Sequence, residues 1–67
     1  MTITVNGDSR HLPSAPMTIT MLLENMGIAH LPLAIARNSE VVPRSEHAST
    51  TLADGDKIEI VHAVGGG

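Results

Sequence analysis

The sequence predicts an α+β fold, one helix packed on a mixed sheet of four to five short strands, and three observations carry that prediction. Polar and apolar residues alternate near both ends of the chain, from Thr2 to Val5 and from Lys57 to Val61, which is the period of a half-buried strand. A single segment behind Thr18 instead places its apolar residues at helical spacing. Turn-forming pairs, Asn6-Gly7, Asn38-Ser39 and Asp54-Gly55, cut the rest into pieces too short for further helices.

Taken in order, Thr2 to Val5 forms a strand with Ile3 and Val5 facing inward. Asn6-Gly7 makes a hairpin turn, since both residues tolerate positive φ, and a return strand covers Ser9 to Leu12. Pro13 and Pro16 end it because neither can donate to a ladder. Thr18 is the N-cap of a helix whose residues Ile19, Leu22, Leu23 and Met26 fall on one face, and Gly27 stops it. No Glu or Gln stands at position 21, so the capping box is absent.

Leu33 to Arg37 is the next strand, with Ala34 and Ala36 making a small-residue face expected to lie close to a neighbour. Asn38-Ser39 turns the chain into a short strand, Glu40 to Val42, before Pro43. Arg44 to Thr51 is polar and reads as irregular or a single helical turn, pinned by Leu52. Asp54-Gly55-Asp56 is a tight turn into the final strand, which directs Ile58 and Ile60 to one face. Hairpin, helix, hairpin and strand in this order resemble the ubiquitin-like β-grasp arrangement, and by analogy with it the first and last strands, rich in Ile and Val, are expected to lie parallel and adjacent at the sheet centre.

The chain has 67 residues, 42% of them hydrophobic, which suits one domain over 1–67, with 61–67 as strand end and tail. A chain this small buries only roughly 60% of its unfolded surface, leaving little space for an enclosed catalytic pocket, so an independent enzyme is disfavoured. Without cysteine it has no thiolate metal site and cannot carry sulfur on a side-chain thiol. A net charge of -3, four Lys plus Arg and no aromatic residue supply neither a basic footprint nor a stacking platform for nucleic acid. No signal peptide or membrane-spanning stretch is read, and a cytoplasmic location is the expectation.

The residues beyond Val61 end in Gly65-Gly66-Gly67 and would reach roughly 20 Å if fully extended. Glycine lacks Cβ, so such a tail can thread a narrow cleft and expose its carbonyl without steric obstruction. The carboxylate of Gly67 is an unhindered acyl group, but a poor electrophile until an oxygen is made a leaving group. Taken alone, a glycine run also suits a frayed end. The four histidines, His11, His30, His47 and His62, are scattered and read as solvated rather than metal-binding. Asp54 and Asp56 read as turn residues, not a calcium loop, and Met17, Met21 and Met26 as gap-filling core.

Arg37-Asn38, Val41-Val42-Pro43-Arg44, Leu52 through Val61, and the Ala63-Val64-Gly65-Gly66-Gly67 end together resemble the ThiS family, the sulfur carriers of thiamine biosynthesis. The resemblance spans essentially the whole chain and is strongest in its second half. It implies that Gly67 is adenylated by an E1-like, ThiF-like adenylyltransferase using ATP, converted to a thiocarboxylate with sulfur from a donating enzyme, and delivered to a ThiG-like thiazole synthase. It further implies that Gly65 and Gly66 enter partner sites, that Val61 and Val64 lie at the partner interface, and that the chain is a co-substrate with no resident cofactor, metal, nucleic acid or membrane partner. The free domain is expected to be monomeric, with a flexible tail. His47 stands where a larger aromatic side chain is expected. Two other roles fit the same features: the small subunit of molybdopterin synthase, and a ubiquitin-like modifier or binding module.

Overall fold

A computed structural model describes residues 1–13 and 16–62. Its elements are β1 (Thr2–Val5), β2 (Asp8–His11), α1 (Ile19–Asn25), β3 (Leu33–Arg37), β4 (Glu40–Val42), a 3-10 turn (Arg44–Glu46) and β5 (Lys57–His62). The strands form one five-stranded sheet in the order β2-β1-β5-β3-β4. β1 and β5 run parallel and adjacent, with antiparallel hairpins on either side, so the expected β-grasp topology holds.

The core lies between one sheet face and the helix. Ile3, Ile19, Leu22, Ile35 and Ile58 have less than 2% of their surface exposed, and burying each such side chain contributes about 1.5–3 kcal/mol. Met17 closes this core, and Met26 packs against it from partial burial. Met21 does not belong to it: at 45% exposure it sits on the outward side of α1, off the face defined by Ile19, Leu22 and Leu23.

Every free amide at the start of α1 finds an acceptor. Thr18 Oγ1 accepts from Met21 N–H, the Thr18 carbonyl from Leu22, and the Thr50 and His47 carbonyls from Ile19 and Thr20. The polar segment after β4 therefore caps the helix, and Leu52, 5% exposed, anchors it in the core. At the other end Gly27 (φ +74) donates to the Glu24 carbonyl and Ile28 to that of Leu23, the paired bonds of a Schellman stop.

Two sequence expectations change. The return strand begins and ends one residue earlier, at Asp8–His11, because the two-residue turn brings Asp8 directly opposite Val5. Among the described residues, the face of Ala34 and Ala36 does not meet a neighbouring element: Ala34 is exposed and Ala36 half-buried, on the side of the sheet away from α1.

Candidate functional site

The acyl group expected from the sequence, Gly67, and its companions Val64, Gly65 and Gly66 lie outside the described residues. The structure does describe the platform from which they continue: the end of β5 and everything that holds it.

β5 is the middle strand of the sheet, with β3 on one side and β1 on the other. On one side it pairs with all of β3, from Arg37 opposite Ile58 to Leu33 opposite His62. On the other, β1 supplies a ladder that climbs toward the tail: Thr4 N–H donates to the Asp56 carbonyl and Asn6 N–H to that of Ile58. The next rung comes from a side chain. Asn6 Nδ2 donates to the Ile60 carbonyl at 3.1 Å, and Ile60 N–H donates to Asn6 Oδ1 at 2.8 Å. The carboxamide thus fills the place of a strand residue just where the Asn6-Gly7 turn (φ 51 and 86) leads the backbone away.

Val61 is 62% exposed on the open sheet face, opposite Ala34. Two residues back, Glu59 pairs with Ala36, which in turn pairs with Val41, itself 78% exposed. The pleat therefore puts Val61, Glu59, Ala34, Ala36 and Val41 on one face, with Val61 and Ala34 nearest the tail base, Val41 two strands away, and the exposed Glu59 carboxylate among them. The sequence names Val61 as a partner-interface candidate; that Ala34, Ala36 and Val41 share its face is legible only once register is known.

The opposite end of β5 is held by charge. Asp56, 5% exposed, accepts from Arg37 Nε at 2.8 Å, Asn38 Nδ2 at 3.0 Å and Ala53 N–H at 2.8 Å. Desolvation pushes this carboxyl up, but the Ala53 amide, the Arg37 and Asn38 hydrogen bonds and the Arg37 charge outweigh it and hold it below its ordinary value. Asp56 is a turn residue, as expected, but a buried and charged one. Beside it, an open cleft of about 400 Å³ is lined by Arg37, Asn38, Glu40, Val41, Val42, Pro43, Glu46 and Thr50, at the hairpin end of β3 and remote along β5 from the tail base.

Of the histidines, His11, His30 and His62 are exposed, whereas His47 is not solvated: it is 7% exposed, with Nε2 3.0 Å from the Val42 carbonyl. Its imidazole ties the residue after the 3-10 turn back to the end of β4 through this part-buried hydrogen bond, a structural role. Among the described residues no group of His, Asp and Glu could hold a metal ion, and no helix is long and apolar enough to cross a membrane.

The sequence model of the ThiS family matches residues 3–67. A thiazole synthase of Paramagnetospirillum magneticum is 43% identical over the whole chain, which spans only 20% of that relative's length. The sulfur carrier protein ThiS of Bacillus subtilis is 38% identical over 75% of this chain and 76% of its own. The crystal structure of a thiamine biosynthesis protein (ThiS) from Geobacter metallireducens superposes over all of both chains with a TM-score of 0.87 at 33% identity.

Proposed function

The chain belongs to the ThiS family, and from that premise we propose that it is a sulfur carrier of thiamine biosynthesis whose working group is the carboxylate of Gly67. The observation that carries this is the family match running through Gly67 itself, so that the likeness includes the glycine end as well as the fold.

The chemistry follows from what a carboxylate lacks. A Gly67 oxygen attacks the α-phosphorus of ATP in an E1-like partner and pyrophosphate leaves, giving an acyl adenylate. A hydrosulfide-equivalent nucleophile from a sulfur-donating enzyme then attacks the carbonyl carbon and AMP departs with the oxygen. The net change is one carboxylate oxygen replaced by sulfur. Thiazole synthase is the acceptor, in keeping with relatives of that name that contain a domain like this one within a much longer chain. The chain acts as a co-substrate, with ATP bound by the activating partner, in the cytoplasm.

The domain supplies recognition and reach. Val61 and Ala34 offer partners an apolar contact beside the tail base, continued across the same face by Ala36 and Val41, and Gly65 and Gly66 let the chain enter a cleft too narrow for side chains. Val64 would extend the same contact.

Removal of Gly67 tests the proposal. Thermal unfolding should be unchanged, since the core among the described residues is complete without Gly67, while ATP-dependent adenylation falls to background. A truncated chain adenylated at the rate of the full one would overturn it.

A further inference from the structure

We propose that Asn6 is a positioning residue for the carboxyl end: its side-chain amide holds the last residues of β5 in line with the sheet and so sets the direction in which the chain leaves it. The inference rests on the reading of Gly67 as the acyl group.

β1 ends at Val5, and the Asn6-Gly7 turn carries the backbone into β2. β5 continues to His62, so its closing residues outrun their parallel neighbour. Ile60 would then present N–H and C=O to solvent on that side. The Asn6 amide satisfies both groups, and only in the orientation that sets Oδ1 toward N–H and Nδ2 toward the carbonyl. Past this rung, among the described residues, Val61 and His62 pair with Ala34 and Leu33 of β3 and with no residue on the β1 side. Asn6 is therefore the last tie on the β1 side among the described residues.

The turn alone does not explain Asn6. It requires positive φ, which glycine meets at least as well. The amide is what glycine lacks, so Asn6→Gly keeps the turn and deletes the tie. A matched control exists at the other hairpin: Asn38 also has φ +51 and also bonds β5 through its side chain, accepting from Lys57 N–H at 2.9 Å, but at the end of β5 remote from the tail.

The experiment compares the full-length wild type, Asn6→Gly and Asn38→Gly as substrates of an E1-like activating enzyme with ATP, reading pyrophosphate release, alongside amide hydrogen exchange. In Asn6→Gly, exchange at Ile60 should quicken about tenfold, KM should stay within about twofold because the apolar face is intact, and kcat should fall roughly three- to tenfold. Asn38→Gly should lose stability yet keep the wild-type kcat. Asn6→Asp, which retains the acceptor for Ile60 N–H but not the donor, should fall between wild type and glycine variant, and serves if Asn6→Gly folds poorly.

A wild-type kcat in Asn6→Gly and Asn6→Asp, or an equal loss in Asn38→Gly, overturns the inference. A wild-type chain that no activating enzyme adenylates overturns the underlying reading of Gly67 instead.

Discussion

The two hairpins flank β5 with nearly the same device and hold its two ends very differently. Each turns on an Asn at φ +51 followed by a second residue at positive φ, Gly7 in one and Ser39 in the other, and each Asn reaches sideways to bond the β5 backbone. Asn38 does so inside a part-buried network with Asp56 and Arg37, whereas Asn6 acts alone and exposed to solvent. Both ends also pair with β3, but the start of β5 is fastened by a part-buried, charge-assisted cluster, whereas on the β1 side its end is held, among the described residues, by one carboxamide. A carrier needs this asymmetry: a fixed domain behind, and in front a chain end that a partner can draw into its own site with little to undo.

The strongest way to break the comparison is to cut the charged anchor. Asp56→Ala leaves the Arg37 guanidinium, the Asn38 amide and the Ala53 N–H without their acceptor, and should cost about 2–3 kcal/mol in urea denaturation, less than a fully buried pair because Arg37 is 32% exposed. Its activation kinetics, measured where it is folded, should match wild type. A loss of kcat like that expected for Asn6→Gly would erase the distinction between the ends.

Acid offers a smaller, graded version of the same cut. Because the folded Asp56 pKa lies below its ordinary value of 3.8, its contribution to stability is fully present above that value and is lost as pH falls through the lowered folded pKa. Urea midpoints should therefore decline in that acid window for the wild type. Asp56→Asn, which cannot titrate there, should show a shallower decline.

Period and turn chemistry made most of the fold legible. Alternation located the strands, the spacing of Ile19, Leu22 and Leu23 located the helix and its buried face, and Asn6-Gly7 and Asn38-Ser39 located the hairpins. What escaped was long-range and involved polar residues. Asp56 looked like an ordinary turn residue because nothing local distinguishes a solvated carboxylate from one that receives an arginine nineteen positions earlier. His47 looked solvated in a polar segment, but that segment folds beneath β4 and over the start of α1, so its ring is enclosed. The Ala34 and Ala36 face was assigned a neighbour because small residues often mark close packing; on an open sheet side they instead form the floor of an apolar patch. The sequence names Val61 and the glycine end as candidates, of which the structure describes Val61 alone, exposed on β5; Asn6 reads from the sequence only as a turn former, since its tie to Ile60 spans 54 positions.

The central claim concerns one atom. The intact mass of the full-length chain, measured after incubation with its E1-like activating enzyme, ATP and a sulfur donor, should rise by the difference between sulfur and oxygen, with fragmentation placing the change on Gly67. An unchanged mass under conditions in which ATP is turned over, or a sulfur located on any other residue, would contradict the account.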